Sequence, residues 1–257
     1  MQRFDDVDTG LSMVEKNLKI PYARTIMTRI NKYLAEQGLA SRREVDAWIK
    51  DKRLTINGAP AKLGMDASDD DEICLDGERL KKNPRKRTVT IALNKPVGYI
   101  TTTDRSKPDT VLDLISLSDR LFPIGRLDVE SSGLLLLTTD GDLAHRLMHP
   151  SFEHEKEYRV AVDYKLDHEE IDRLRKGVII DGKKTKSAFV RVLGSKSFLI
   201  RITEGRNRQI RKMCEAIGKK VVKLQRVRIG EIRLGDLKPG GWRYLTEEEA
   251  NWIRSIR

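Results

Sequence analysis

The sequence predicts an α+β protein made of a small N-terminal α/β module and a larger domain built on a mainly antiparallel sheet with flanking helices and loops. Two short amphipathic helical patterns and a few strands fall within residues 28–82, and a basic run around Pro84 follows them. Short apolar strand patterns then alternate with turn and helix signals up to the C-terminus. A length of 257 residues accommodates both parts.

Residues 1–27 have mixed polarity and no sustained period, so we expect a poorly ordered or loosely docked extension. They also lack the apolar segment of a signal peptide, and the longest aliphatic run, residues 134–137, is too short to span a bilayer. Cys74 and Cys214 are the only cysteines, which excludes a disulfide framework and a cysteine-rich metal site. These features together predict a cytoplasmic protein without membrane contact.

The module at residues 28–82 carries local signals for two helices and a hairpin. In the segment TRINKYLAEQGLA, Thr28 is the candidate cap of the first helix. Ser41 and Glu44 have the spacing of a capping box at the start of the second helix. The dipeptide Asn57-Gly58 readily adopts positive φ angles and predicts a two-residue hairpin turn.

The larger domain is predicted to follow a linker at residues 83–88 and to occupy residues 89–257. Five positive charges surround a proline at residues 81–87, a composition that is typical of linkers. Beyond it, the stretches VTIALNKP, SGLLLLTTD, KEYRVAVDY, AFVRVL and SFLIRIT have strand character. Residues 142–148, capped by Asp142, and residues 208–217, stopped at Gly218, have helical character.

The distribution of charge indicates a polyanionic partner. The formal net charge is +11, and residues 203–233 hold ten basic side chains against three acidic ones. Because the basic residues are interleaved with apolar ones, we expect a helix and a strand that are buried on one side and face phosphates on the other.

Three side chains in the larger domain are candidates for chemistry. Asp128 lies in a loop before a wholly apolar strand, where a carboxylate can be partly desolvated, although an ordinary loop charge would look the same. Arg211 can face inward from the helix at residues 208–217, and its natural partner is Asp128, because a guanidinium can grip a carboxylate with two hydrogen bonds. Tyr158 begins an amphipathic strand, where it either packs or stacks on a base.

Other kinds of site have little support in the sequence. His145 and His149 have the spacing of a metal pair on one helix face, but no further ligands accompany them, so we expect no metal site. No phosphate-binding glycine loop and no dinucleotide fingerprint is present. We therefore expect no cofactor.

Taken together, GRLD followed by SSGLL, then KEY, then GRNRQIRKM resembles the RsuA-type family of ribosomal-RNA pseudouridine synthases. This resemblance covers residues 89–257, and residues 28–82 resemble the S4-like RNA-binding domain that precedes it in many members. The stretches at residues 138–150 and 212–215 are similar to members that act on the large subunit. The resemblance implies isomerisation of a specific uridine in ribosomal RNA, without a cofactor, and ribosomal RNA or an assembling subunit as the partner.

The resemblance also assigns roles to residues of this chain. Asp128 would be the essential aspartate, Tyr158 the active-site aromatic residue and Arg211 the basic partner of the aspartate. Arg126 would help to displace the target base. We expect further RNA contacts from the small module and from the GRNRQ segment, through Lys32, Arg42, Arg43, Arg206, Asn207, Arg208 and Gln209.

Two other functions remain open at this point. A non-catalytic ribosome-assembly or RNA-binding protein would use every basic feature while Asp128 was only structural. A helix-turn-helix DNA regulator would leave nearly all of the larger domain without a purpose. No self-complementary apolar stripe is present, so we expect a monomer.

Overall fold

The computed structural model describes residues 27–81, 88–148 and 154–256. The predicted extension at residues 1–27 and the predicted linker at residues 83–88 lie outside this part, apart from Met27 and Thr88. Contacts divide the chain into two compact units, one up to residue 84 and one from residue 85 onward. No helix in the described ranges has the length and apolar character needed to cross a membrane.

The N-terminal unit packs two helices against small sheets. The helices are α1 (Ile30–Glu36) and α2 (Arg42–Lys50). Strands β1 (Thr28–Arg29) and β4 (Asp66–Ala67) form an antiparallel pair. A four-stranded sheet has the order β3-β2-β5-β6, with β2 (Leu54–Ile56), β3 (Ala59–Pro60), β5 (Ile73–Leu75) and β6 (Glu78–Arg79). The apolar stripes of both helices and of the sheet meet in one core.

Local sequence signals explain most of the boundaries in this unit. The predicted capping box is present at the start of α2, where Ser41 and Glu44 satisfy each other's backbone amides. Asn57 and Gly58 form the predicted turn with φ angles of 50° and 79°. The prediction of Thr28 as the cap of α1 is wrong, because Thr28 lies in β1 and Arg29 precedes the helix without a side-chain cap.

The C-terminal unit is built on one nine-stranded sheet with the order β13-β14-β10-β15-β9-β7-β17, to which β8 and β16 are attached at β9 and β15. The strands are β7 (Thr90–Lys95), β8 (Phe122–Ile124), β9 (Ser132–Thr138), β10 (Lys156–Val162), β13 (Phe189–Gly194), β14 (Ser197–Ile202), β15 (Val221–Ile229), β16 (Ile232–Arg233) and β17 (Trp242–Tyr244). A separate hairpin pairs β11 (Ile179–Ile180) with β12 (Lys183–Lys184).

The sheet is antiparallel except between β9 and β15, which confirms the predicted fold class. These two strands run parallel and pair only at two positions, Ser132 with Gln225 and Gly133 with Arg226. The two antiparallel halves of the sheet therefore join at the first residues of β9, immediately after the loop that carries Asp128.

Helices cover both faces of this sheet. Helices α4 (His168–Lys176) and α5 (Gln209–Glu215) pack on the face that holds Leu93, Leu135 and Tyr158. Helices α3 (Gly141–Met148) and α6 (Glu247–Ser255) pack on the opposite face, against Ala92 and Leu136. A short 3₁₀ turn, Val111–Leu114, lies between β7 and β8.

Two predicted helix starts in this unit are wrong by one residue or more. Helix α3 is capped by Asp140, whose Oδ1 accepts from the amides of Asp142 and Leu143, because Asp142 already lies in the first turn. Helix α5 begins at Gln209. Arg208 precedes it in the left-handed region with φ 52° and ψ 32°, so its side chain does not share a helix face with Arg211.

Candidate active site

The loop between β8 and β9 presents Asp128 at the junction of the two sheet halves. Leu127 is buried beside it and is fixed by Thr101, whose hydroxyl donates to the Leu127 carbonyl at 2.9 Å and accepts from its amide at 3.3 Å. The side chain of Asp128 is 30% exposed, whereas Arg126 is exposed. The loop thus keeps an anchored backbone and a carboxylate that a bound molecule can reach.

Arg208 lies beside the Asp128 carboxylate, with 4.0 Å between Nη1 and Oδ2. The Arg208 Nη2 atom also lies 3.1 Å from Oε2 of Glu130. Because the backbone of Arg208 is left-handed, its side chain turns away from α5 and toward the loop. A sequence prediction that treats Arg208 as part of a regular helix does not give this direction of its side chain.

Arg211 reaches the same loop without an ion pair to Asp128, which corrects the predicted pairing. Its side chain is 9% exposed, and Nη2 donates to the Glu130 carbonyl at 3.1 Å and to the Ser131 hydroxyl at 3.3 Å. Its Nη1 donates to the Val221 carbonyl at 3.4 Å. The physical reason is position: from α5, Arg211 reaches the residues after Asp128, and Arg208 reaches Asp128 itself.

Every carbonyl between residues 128 and 131 accepts a hydrogen bond. The Asp128 carbonyl accepts from the Ser131 amide at 3.0 Å, and the Glu130 carbonyl accepts from Arg211. The carbonyls of Val129 and Ser131 accept from Nζ of Lys95 at 3.4 and 2.8 Å. The conformation of the loop is therefore determined by contacts from β7 and α5.

Tyr158 and Gly133 lie in one row across the sheet. Arg226 of β15 pairs with Tyr158 of β10 on one side and with Gly133 of β9 on the other. Adjacent strands are about 4.8 Å apart, so Tyr158 lies about 10 Å along the sheet from the first residues of β9. Tyr158 is 8% exposed and packs in the core on the α5 face.

The turn before α5 and the first residue of the helix carry two exposed side chains, one partly exposed side chain and one buried side chain. Asn207 and Arg208 are exposed. Arg206 donates to the carbonyls of Lys183 and Lys184 at 3.0 and 2.8 Å. Gln209 is 4% exposed, accepts from the Arg206 amide and donates to Glu204, so it shapes this segment from inside.

The three candidate RNA contacts of the N-terminal unit lie on its two helices. Arg42 and Arg43 are exposed in the first turn of α2. Lys32 lies on α1, with Nζ 3.5 Å from the Glu36 carboxylate.

The pKa of Lys95 is lowered to about 8, chiefly by burial; the charge of Asp128 opposes this effect and the charge of Arg226 adds to it. Sequence reasoning missed this lysine, although a signal was available: it ends a strand that contains the apolar run IAL. It also missed the burial of Arg226, which is 3% exposed.

The ten basic residues between positions 203 and 233 do not form one cationic face, because Arg211 and Arg226 are buried.

Within the residues described here, no cluster of three or more His, Cys, Asp or Glu side chains could hold a metal ion. His145 lies on α3, and His149 lies outside the described residues.

Comparison with known proteins identifies both units. The family described as RNA pseudouridylate synthase matches residues 89–216, and the family described as S4 domain matches residues 28–73. The chain is 41% identical over 221 residues to the dual-specificity RNA pseudouridine synthase RluF of Escherichia coli K12, which covers 86% of this chain and 76% of that protein. It is 38% identical over 242 residues to the ribosomal large subunit pseudouridine synthase B of Yersinia pestis, covering 89% and 76% of the two chains.

A solved structure agrees with these relatives. The crystal structure of a pseudouridylate synthase matches with a TM-score of 0.65 and 31% identity, over 88% of this chain and 99% of that one. The resemblance seen in the motifs is thereby confirmed. The chain belongs to the RNA pseudouridine synthase family and carries an S4 domain before its catalytic domain.

Proposed function

We propose that this chain isomerises a specific uridine to pseudouridine in ribosomal RNA of the large subunit, with Asp128 as its catalytic carboxylate. The observation that carries the assignment is the geometry of residue 128: a reachable carboxylate with Arg208 4.0 Å away, on a loop whose carbonyls from residue 126 to residue 131 all accept hydrogen bonds. Family membership supplies the reaction, and the name of one similar protein, the ribosomal large subunit pseudouridine synthase B of Yersinia pestis, supports ribosomal RNA as the substrate.

The reaction breaks the bond between N1 of uracil and C1′, turns the base, and rejoins it through C5. Neither the redox state nor the atom count changes, so we propose that the enzyme needs no cofactor. An ionised Asp128 can attack C1′ or C6 or remove a proton from C2′, and each of these roles requires the charged form. The guanidinium of Arg208 lies 4.0 Å from this carboxylate.

A stacked uridine must leave the helix before the carboxylate can reach it. Unstacking costs a few kcal/mol, which contacts to the RNA backbone offset. Arg126, exposed two residues before Asp128, fills the vacated position. Tyr158 then contacts the extruded base from the middle of the sheet, and the exposed Asn207 and Arg208 contact the backbone nearby.

The N-terminal S4 domain supplies additional RNA contacts through Lys32, Arg42 and Arg43. Residues 28–82 have eleven bases and eleven acids, so binding there depends on the placement of charges and not on net charge. We propose that the protein acts as a cytoplasmic monomer on a stem-loop or on an assembling subunit.

Pseudouridine mapping tests this function. Deproteinised ribosomal RNA is incubated with the full chain and treated with carbodiimide, and reverse-transcription stops then show each modified position. We expect a stop in large-subunit RNA with the wild type and none with Asp128→Asn, whereas Asp236→Asn, an exposed aspartate of the same unit, behaves as wild type. RNA binding without any stop would favour the assembly-protein alternative.

A further inference from the structure

Lys95 is completely buried, yet no carboxylate forms an ion pair with it among the described residues. It ends β7 with 0% exposure, and it follows the alternation that places Ile91 and Leu93 in the core on the α5 face. The acid that acts on it through space is Asp128, which raises its pKa, and the charge of Arg226 opposes this effect. Removing an ammonium group from water without a direct partner costs several kcal/mol.

The three N–H groups of the Lys95 ammonium each have a carbonyl acceptor. Nζ lies 2.9 Å from the Pro96 carbonyl, 3.4 Å from that of Val129 and 2.8 Å from that of Ser131. Two of these acceptors belong to the segment that directly follows Asp128. Only the charged form of lysine has all three donors, so the ammonium form is the one that satisfies this geometry.

Arg226 holds the other end of the same loop. It is 3% exposed, and its Nε donates to the Leu134 carbonyl at 2.7 Å, while Nη1 donates to the Arg126 carbonyl at 3.4 Å. Its remaining terminal nitrogen is buried without a hydrogen-bond partner in the described part of the chain. The two cations thus contact the loop two residues before Asp128 and again one and three residues after it.

Stability alone does not explain two buried cations at this position. Their acceptors are backbone carbonyls, and an apolar side chain of similar length in a core is often neutral or stabilising compared with a buried charge. Hydrogen bonds to the carbonyls of a loop instead fix its backbone, and the backbone determines where the neighbouring side chain points. The observation that needs an explanation is that both buried cations donate to carbonyls of the loop that carries Asp128.

We propose that Lys95 and Arg226 are positioning residues that hold the loop from Arg126 to Ser131 so that the Asp128 carboxylate faces the extruded base. This inference rests on the proposed function, because it takes Asp128 as the catalytic group. Neither residue contacts the substrate in this proposal. A carboxylate misplaced by about 1 Å can slow a reaction about 100-fold, whereas RNA binding by surface residues does not depend on its direction.

The test compares single-turnover rates with RNA affinity in the full chain. We expect Lys95→Met and Arg226→Met to lower the single-turnover rate about 100-fold, while the Kd for the RNA stays within about threefold. The matched control is Asn94→Ala: Asn94 is also buried on β7, but it donates to the Leu237 carbonyl at 2.6 Å, away from the Asp128 loop. We expect this control to lose stability and to keep its rate.

A second comparison decides the matter even if the methionine variants do not fold. The wild-type rate should fall as the pH rises through about 8, where Lys95 loses a donor. Lys95→Arg stays charged and should not show that fall. Two charged groups act on Lys95, namely Asp128 and Arg226. Both are present in the wild type and in Lys95→Arg.

Two results would overturn the inference: a folded Lys95→Met with the wild-type rate, or identical pH profiles for the wild type and Lys95→Arg. Failure of the proposed function would look different. In that case the wild type itself would form no pseudouridine in any ribosomal RNA.

Discussion

At the scale of single residues, two arginines three positions apart have different neighbours around one loop. Arg208 is 40% exposed and lies near the Asp128 carboxylate, whereas Arg211 is buried and bonds to the backbone and hydroxyl of the following residues. An exposed guanidinium influences charge at small cost to stability, and a buried one supports structure. Their substitutions should therefore have separable effects.

Arg211→Met should lower both the free energy of unfolding, by about 2 to 3 kcal/mol, and the rate of product formation, because it leaves buried acceptors unpaired and frees the loop. Arg208→Met should slow the reaction about tenfold with little loss of stability, since it removes an exposed charge that lies beside Asp128 and Glu130. Urea unfolding and tritium release from 5-labelled uridine measure the two quantities.

Lys212→Met is the control for this pair, because Lys212 lies next to Arg211 and forms a surface ion pair with Asp181. It should be close to wild type in both assays. If Arg211→Met had the same free energy of unfolding as the wild type, the hydrogen bonds of the buried Arg211 side chain would not contribute to stability.

The depressed pKa of Lys95 also predicts a pH dependence of stability. The folded pKa is about 8 against an ordinary value of 10.5, so between these values the unfolded chain binds more protons and stability rises with pH. The contribution should grow by about 2 kcal/mol between pH 7 and 9.5.

This contribution is read as the difference in unfolding free energy between the wild type and Lys95→Met, measured in urea at both pH values. Other titrating groups are common to the two proteins and cancel. A difference that stays constant with pH would contradict the lowered pKa.

At the scale of elements, the parallel contact between β9 and β15 brings the site together. Gly133 makes it possible: its φ is +106°, and a Cβ there would overlap with the backbone of Arg226. Glycine tolerates this conformation and this close approach, which other residues do not. One residue thus sets the spacing between the strand that follows Asp128 and the strand that carries Arg226.

Gly133→Ala should lower the free energy of unfolding by about 3 kcal/mol or more, because the backbone must shift and the φ angle is strained. Chemical denaturation measures the loss. Gly141→Ala is the control, since that glycine has open space around its Cβ position and no positive φ. Equal stability of the two variants would show that β9 and β15 tolerate a wider separation.

At the scale of the whole molecule, the proposed function assigns different parts of one activity to the two units. The S4 domain offers basic residues at the start of α2, and the catalytic domain holds the carboxylate. Phosphate contacts contribute affinity and salt dependence and leave the chemical step unchanged. The units should therefore be separable by measuring binding and single-turnover rate independently.

The double substitution Arg42→Glu and Arg43→Glu should weaken RNA affinity and reduce the magnitude of the salt slope of log K by about 1.4 to 1.8, as expected for two lost phosphate contacts. The single-turnover rate at saturating enzyme should remain close to wild type. Filter binding across a salt series measures the slope. Lys50→Glu with Lys62→Glu changes the charge equally at two other exposed positions of the same unit. An equal effect of both pairs would mean that only net charge matters.

The sequence by itself determined the features that depend on neighbouring residues. The capping box of Ser41 and Glu44, the Asn57-Gly58 turn and the strand patterns of the larger domain are all present in the structure. The ordered motifs around Asp128, Tyr158 and Arg211 were sufficient to indicate the family. These signals are local, because caps, turns and alternation depend on the hydrogen bonds and faces of a few successive residues.

Only the tertiary structure decided which side chains surround Asp128. Arg208 reaches the carboxylate because its backbone is left-handed, and Lys95 and Arg226 reach the loop because β7 and β15 flank β9 in the sheet. The Arg226 contact to Leu134 spans 92 residues of sequence. Strand pairing over such distances is set by how the whole core packs, and no local pattern of residues contains it.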